Sequence, residues 1–195
     1  MEQFLEYFGV VTGLTYLVLE IMQRRLMWVV GLLTSFTYIF VFFFSGFYAD
    51  MSLNVYYVGI SIYGLWHWKK RSLGPEESSA AIVYRHLSSG LGAVLLFITA
   101  GLFTGMYFIL SRLTDSPVPA GDAFTTALSV TATWMLARRI LEHWWLWVVI
   151  NFVSLWLYCQ RGLYPTGFLF ACYGVLAVAG WMNWKRKGKQ DDWNL

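Results

Sequence analysis

The segment WWLWVVINFVSLWLYCQ, at residues 144–160, contains no Asp, Glu, Lys or Arg. Six further segments are similarly apolar, and only Glu20 and Asp122 interrupt them. The apolar core of a bilayer is about 30 Å thick and takes roughly 17 to 25 residues of α-helix, whereas the strands of a membrane barrel have about 10 residues of alternating polarity. The sequence therefore predicts an all-α integral membrane protein with seven transmembrane helices, at residues 7–23, 26–49, 51–68, 87–111, 118–137, 144–160 and 162–184.

The composition also points away from a soluble protein. Hydrophobic residues make up 58% of the chain and charged residues 13%, which is about half the charged share of a soluble domain. The net charge of +3 is explained by basic loops, so nucleic acid is not a predicted partner. Cys159 and Cys172 lie in apolar segments and are predicted to pack rather than to form a disulfide. The first residues lack the basic region of a signal peptide, so we expect the first helix to be retained.

Basic residues predict how the helices are oriented. If the amino terminus lies outside, 12 of the 14 Lys and Arg residues fall in cytoplasmic segments, and only Arg112 and Arg161 fall outside. Cytoplasmic loops of membrane proteins are enriched in Lys and Arg. The sequence therefore predicts an outside amino terminus and a cytoplasmic carboxyl terminus.

The chain also matches itself at an offset of 116 residues, where nine of 48 positions are identical between residues 24–71 and 140–187. The identical pairs include Trp28 with Trp144, Gly64 with Gly180 and Trp68 with Trp184. A three-helix unit repeats in the same orientation only if one helix connects the copies. The prediction is a 3+1+3 parallel repeat, a type that places substrate at the interface of the repeats. Residues 1–71 form the first repeat, 72–117 the linker helix and its loops, 118–187 the second repeat, and 188–195 a cytoplasmic tail.

Polar and aromatic residues form one stripe along the sixth predicted helix. At 100° per residue, its members fall within about 80° of one another: Trp144, Trp147, Asn151, Ser154 and Tyr158. An unpaired amide is costly in hydrocarbon, so the stripe is expected to face protein or a water-filled cavity. Polar and aromatic faces of both halves predict a pocket that stacks a flat ring, including a cationic one. Its other candidate residues are Ser35, Tyr38, Asn54, Tyr57 and Tyr173.

The stripe also has structural interpretations. Tryptophans at helix ends are expected in the aromatic belt at the membrane interface. Asn151 can join two helices, an interaction worth on the order of 1 kcal/mol. In the self-match, Trp147 and Asn151 align with Gly31 and Ser35. This difference favours ligand contact, because a packing device would more plausibly be kept in both halves.

Other kinds of function are less favoured by the sequence. Glu20 leaves proton or sodium coupling open, although Arg24 at i+4 favours an interfacial ion pair. The three histidines lack metal-ligand spacing, and no catalytic set can be assembled, so we predict no metal, no cofactor and no enzyme activity. The helices carry no row of carboxylates, which makes an ion channel less attractive. A receptor that binds without transporting remains open.

These residues together resemble the PnuC family of bacterial vitamin transporters. Its hallmark Trp-x-x-Trp-x-x-x-Asn is present as Trp144, Trp147 and Asn151, with Gly-Leu-Tyr at 162–164 and Tyr-Gly followed by Trp at 63–68. The resemblance implies a seven-helix fold related to the SWEET proteins and a homotrimer in the lipid bilayer of the bacterial cytoplasmic membrane. It also implies facilitated diffusion of nicotinamide riboside, made one-way by phosphorylation inside the cell, with the three motif residues contacting the substrate.

Two positions depart from the family pattern. Asn54 stands where members often have glutamine, and His143 stands where they often have asparagine before the first motif tryptophan. Relatives of this fold move thiamine or riboflavin, so both vitamins stay as alternative substrates. Asn151 favours nicotinamide riboside, because an acidic residue there would better suit a thiamine carrier.

Overall fold

The computed structural model describes residues 2–45, 48–70, 82–114, 118–160, 162 and 164–190. This part of the chain contains seven helices and two short strands, which pair in parallel with Val83 beside Lys189 and Tyr84 beside Gln190. The seven predicted helices are confirmed, whereas the strands were not predicted. The elements are α1 (Glu2–Ile21), α2 (Leu26–Ser45), α3 (Tyr48–Lys70), β1 (Val83–Tyr84), α4 (Ser89–Leu113), α5 (Pro119–Ala137), α6 (His143–Gln160), α7 (Tyr164–Lys187) and β2 (Lys189–Gln190).

Several helices extend beyond their apolar segments, because a helix can continue past the bilayer core into polar surroundings. The first helix begins at Glu2 and the third ends at Lys70. Local signals set other ends. The Ser88 side chain accepts a hydrogen bond from the backbone N–H of Leu91 and caps α4. Pro119 begins α5, a position where its missing N–H removes no helical bond.

Among the described residues, two stretches are long and apolar enough to cross a membrane by length and hydropathy alone, Ser89–Leu113 and Gly167–Lys187. Shorter apolar stretches lie at Val11–Ile21 and Leu26–Val41. Helix α6 is not among them, although all its residues except the terminal His143 lie in the charge-free segment. Its tryptophans and polar stripe explain this, since they lower its mean hydropathy.

The chain forms two compact units, Met1–Ile82 and Val83–Leu195. In the first unit, α2 packs against both α1 and α3. In the second unit, α4 packs against α5, α5 against α6, and α6 against α7. The second unit thus contains both α4, the predicted linker helix, and the three helices of the predicted second repeat.

Each unit contains a tryptophan packed on a glycine of the neighbouring helix. In the first unit Trp28 of α2 lies on Gly64 of α3, where an added Cβ would overlap the indole. The Trp28 and Trp68 rings meet edge to face, with centroids 5.6 Å apart. The second unit repeats this geometry with Trp144, Gly180 and Trp184, whose tryptophan centroids are 5.7 Å apart. The four tryptophans have no exposed surface.

Among the helices of the second unit, α5 has the most buried residues in the described part of the chain. Its buried residues are mainly small, including Ala123, Ala127 and Ala132, and small residues let helices approach closely. The hydroxyls of Thr99 on α4 and Thr131 on α5 are 2.7 Å apart and hydrogen-bonded. In contrast, α4 exposes large apolar side chains such as Phe97, which is 78% exposed.

The segment before α4 is joined to the turn between α5 and α6. The Arg85 backbone N–H donates to the Arg139 carbonyl at 2.9 Å, and the Leu141 N–H donates to the Arg85 carbonyl at 2.8 Å. The Glu142 carboxylate accepts from the Leu87 N–H at 2.9 Å and lies 2.8 Å from the His86 Nδ1. These contacts attach the beginning of α4 to the beginning of α6 within the second unit.

Candidate functional site

The predicted stripe lies on the buried side of α6. Trp144, Asn151 and Ser154 are buried, and Trp147 and Tyr158 are half-buried. The opposite side exposes large apolar residues, among them Phe152 and Trp156. A side chain of this second group suits hydrocarbon, whereas the amide of Asn151 does not. The side of α6 that faces the protein is therefore the one that carries the polar groups.

Trp144 is closed off by its neighbours. The indole lies on Gly180, and the Trp144 and Trp184 rings meet edge to face. The His143 ring is 4.7 Å from the Trp144 ring and 5.1 Å from that of Trp184, measured between centroids. The His143 Nδ1–H donates to the Ile140 carbonyl at 2.6 Å, which holds the imidazole in this cluster. A ligand can stack on Trp144 only if α7 moves away.

Trp147 differs from Trp144 in its surroundings. Its ring is half-buried rather than enclosed. Its indole N–H is buried, and none of the described residues accepts a hydrogen bond from it. The same holds for the N–H groups of Trp28 and Trp144, but those two rings are covered by packing. A buried polar group without a partner costs about 1–3 kcal/mol, so Trp147 offers an unsatisfied donor beside an accessible ring.

Asn151 lies one helical turn beyond Trp147. Gly174 of α7 faces it, and a Cβ added to this glycine would lie 3.7 Å from the Asn151 Cβ. The absence of a side chain at Gly174 leaves space beside Asn151. Asn151 is therefore buried beside a glycine of α7.

An aromatic row links the carboxyl-terminal end of α6 to α7. The Tyr158 ring stacks on Phe170 with centroids 5.1 Å apart, and the Phe170 and Tyr173 rings meet edge to face with centroids 6.1 Å apart. The sequence predicted both tyrosines but missed Phe170. Its residue type carries no signal among the 15 phenylalanines of the chain, although the i+3 spacing to Tyr173 puts the two on one face. Six of the ten predicted site residues thus lie on the packed pair α6 and α7.

The other four predicted site residues belong to the first unit. Ser35 is buried, whereas Tyr38, Asn54 and Tyr57 are half-buried. The Tyr57 ring lies 5.7 Å from that of Tyr56. Asn54, Tyr38 and Tyr57 each interact with other residues of the protein.

Glu20 is a second buried polar group in the first unit, with 2% of its surface exposed. Its carboxylate is close enough to Tyr16 to interact electrostatically, and Tyr16 is likewise close to Tyr56 and Tyr57. Arg24, its predicted partner, is exposed. The burial of Glu20 is more complete than a purely interfacial ion pair requires.

Within the described ranges, no group of three or more His, Cys, Asp or Glu residues is arranged to hold a metal ion. Cys159 and Cys172 are free thiols. The site chemistry of α6 and α7 therefore consists of aromatic rings, an amide and hydroxyls, which suit an uncharged or cationic organic molecule.

The sequence profile of the nicotinamide mononucleotide transporter family matches residues 3–186. The chain is 22% identical over 208 residues to the nicotinamide riboside transporter PnuC of Escherichia coli (strain K12), covering 95% of this chain and 87% of that protein. It is 20% identical over 183 residues to the riboflavin/roseoflavin transporter RibM of Streptomyces davaonensis, covering 94% and 85%. The crystal structure of the vitamin B3 transporter PnuC superposes with a TM-score of 0.73 at 22% identity, covering 94% and 81%. This last similarity shows a shared fold.

Proposed function

The chain belongs to the nicotinamide mononucleotide transporter family, the PnuC transporters, and we propose that it carries nicotinamide riboside into the bacterial cell by facilitated diffusion. It is thus a membrane transporter for a vitamin and not an enzyme. The observation that carries the choice of substrate is the pair formed by Trp147 and Asn151. A half-buried indole with an unsatisfied N–H and a buried amide lie one turn apart on the polar side of α6.

The chemistry of nicotinamide riboside fits this pair. Its pyridinium ring is flat and cationic, so it can stack on the electron-rich face of Trp147. Its carboxamide can both donate to and accept from the Asn151 amide. Hydroxyls of Ser154, Tyr158 and Tyr173 are suited to the ribose. In this arrangement Trp144 supports the start of α6. Substrate contact stays a prediction for five residues: Trp144, Ser35, Tyr38, Asn54 and Tyr57.

We further propose that the amino terminus is outside, that the carboxyl terminus is cytoplasmic, and that α1–α3 and α5–α7 form a 3+1+3 parallel repeat. The distribution of basic residues supports the orientation. The equivalent contacts of Trp28 with Gly64 and of Trp144 with Gly180 support the repeat. Alternating access of the site to the two sides, phosphorylation of the imported substrate and assembly as a homotrimer complete the proposal.

Riboflavin is the second candidate substrate, because the relative RibM is a riboflavin/roseoflavin transporter. Its ring system is also flat, and stacking on Trp147 alone does not separate the two vitamins. Thiamine has a cationic aromatic ring and belongs in the same comparison. Binding to the purified protein distinguishes these three molecules directly.

Calorimetric titration of the detergent-purified chain with nicotinamide riboside, thiamine and riboflavin tests the substrate. We expect micromolar or tighter binding of nicotinamide riboside and at least about tenfold weaker binding of the other two, a difference of roughly 1.4 kcal/mol. Preference for riboflavin or thiamine would reassign the substrate within the same family. No binding of any of the three would contradict the proposed site.

Uptake into liposomes tests the passive mechanism. We expect a protonophore to leave the initial rate of nicotinamide riboside uptake unchanged, both in the parent and in Glu20→Gln. Uptake that collapses with the proton gradient in the parent but not in Glu20→Gln would show that this buried carboxylate couples transport to protons.

A further inference from the structure

A groove opens in the first unit between the beginning of α2 and the end of α3. Its volume is about 470 Å³, within the range of roughly 300–1,000 Å³ that ligand pockets occupy. Five of its six lining residues are apolar or aromatic, and the sixth is an arginine. They are Arg25, Leu26, Val29, Ile62, Leu65 and Trp66.

The groove lies on the exposed surface of the α2–α3 pair, away from the contact between the two helices. Trp28 and Trp68 fill the contact between the two helices and have no exposed surface, whereas Leu26, Ile62 and Trp66 are 55–60% exposed. Leu26, Ile62 and Trp66 thus lie outside the packing that joins the two helices. In a chain that crosses a bilayer, an exposed apolar face of this kind is accessible to lipid.

Arg25 gives the groove one charged end. Its guanidinium has five N–H donors in a planar arrangement that matches the oxygens of a phosphate. Arg25 also interacts with another residue of the protein, so a bound phosphate would share this guanidinium with that residue. Arg24 precedes it, and α3 ends with Lys69 and Lys70, so the local charge is basic.

The position along the helices matches the level of lipid headgroups. Arg25 comes just before the first residue of α2, and Trp66 comes four residues before the end of α3. Tryptophans are enriched at the headgroup level of the bilayer. Basic pockets between helices on the cytoplasmic side bind anionic headgroups, and the proposed orientation puts this end of α2 and α3 on that side.

We propose that this groove binds an anionic phospholipid of the cytoplasmic leaflet. The phosphate lies on Arg25, an acyl chain lies along Leu26, Val29 and Ile62, and the ring of Trp66 flanks the headgroup. A net negative lipid is favoured over a zwitterionic one because Arg24, Lys69 and Lys70 are basic and none of the described residues that line the groove is acidic. The proposal rests on the membrane orientation given above, but not on the identity of the transported vitamin.

Native mass spectrometry of the purified full chain with phosphatidylglycerol and phosphatidylcholine tests this site. We expect phosphatidylglycerol to bind about tenfold more tightly, and Arg25→Gln to abolish most of that preference. Arg112→Gln is the matched control, because Arg112 is an exposed arginine at the end of α4 and should retain the preference. Equal loss of the phosphatidylglycerol preference in both variants would show that it depends on general surface charge, which would overturn the proposal.

A second variant tests the acyl-chain part of the groove without changing its charge. Val29→Trp fills the groove and should weaken phosphatidylglycerol binding by a similar factor. Unchanged binding would mean that the lipid lies elsewhere. Displacement of the lipid by inorganic phosphate at equal concentration would mean an anion site without an acyl chain, and a change in the number of chains per assembly would mean an interface between copies. Each of these three results overturns the proposal.

Transport keeps the two proposals separate. In phosphatidylcholine liposomes, Arg25→Gln should carry nicotinamide riboside at the parental rate, because Arg25 is not among the substrate contacts. Failure of the parent to transport would contradict the proposed function. A parent that transports but does not prefer phosphatidylglycerol would contradict only the proposed lipid site.

Discussion

Two tryptophans of one helical face have different surroundings in this protein. Trp144 has no exposed surface and lies on Gly180, whereas Trp147 keeps a half-buried ring and a buried N–H without an acceptor among the described residues. Residue type and helical spacing are the same for both. The neighbouring helix therefore separates a packing residue from a candidate ligand contact.

Substitution of the candidate contacts should affect binding more than folding. We expect Trp147→Ala and Asn151→Ala each to weaken nicotinamide riboside binding more than about tenfold, roughly 1.4 kcal/mol, because each removes one contact with the ring or its amide. Calorimetry and thermal unfolding of the same samples measure the two effects. Trp156→Ala is the control, since Trp156 is 57% exposed on the same helix. Parental affinity combined with much earlier unfolding would instead identify Asn151 as a residue that joins helices.

At the scale of the helices, close contacts depend on small residues. Trp28 and Trp144 are accommodated by Gly64 and Gly180, and Leu157 of α6 lies where a Cβ on Gly121 of α5 would be. Overpacking such contacts forces side chains or backbone to shift. The helix pairs α2–α3 and α6–α7 therefore depend on glycine at defined positions.

Replacing these glycines should separate the helices. We expect Gly180→Ala and Gly64→Ala each to destabilise the protein by about 1–3 kcal/mol, because the added methyl group overlaps an indole. A lower midpoint of thermal unfolding in detergent would show this. Gly59→Ala in α3 is the matched control, since a Cβ there meets nothing within 4 Å. If all three variants unfolded alike, the tryptophan contacts would not limit stability.

The bond between Thr99 and Thr131 should contribute modestly to the packing of α4 on α5. A double-mutant cycle with Thr99→Val and Thr131→Val is expected to give a coupling energy of about 0.6 kcal/mol, the average for interhelical hydrogen bonds in a membrane protein. Thr133→Val is the comparison, because the Thr133 hydroxyl donates within its own helix to the Ser129 carbonyl. Coupling of Thr99 to Thr133 as large as that to Thr131 would show that the measured energy does not come from this hydrogen bond.

At the scale of the whole molecule, seven helices match the fold of a vitamin B3 transporter over 94% of the chain. An odd number of membrane crossings places the two termini on opposite sides. The basic residues choose between the two possible orientations. The proposed orientation therefore predicts the side of the membrane on which each engineered position lies.

Thiol labelling should reveal this orientation. In a background without Cys159 and Cys172, we expect Arg112→Cys to react with a membrane-impermeant maleimide in intact cells, and Lys187→Cys to react only after permeabilisation. Both positions are exposed at the ends of helices, so access to reagent depends mainly on the side of the membrane. The reverse pattern would invert the proposed orientation.

The sequence by itself determined the seven helices and the polar side of α6. Both depend on local properties, since a charge-free segment in lipid must satisfy its backbone within one helix and the helical period alone aligns Trp147 with Asn151. Only the tertiary structure decided that Trp144 is enclosed, that Phe170 joins Tyr158 to Tyr173, and that β1 pairs with β2. These features arise from residues distant in the chain, and their packing depends on the shape of the neighbouring helix rather than on local periodicity.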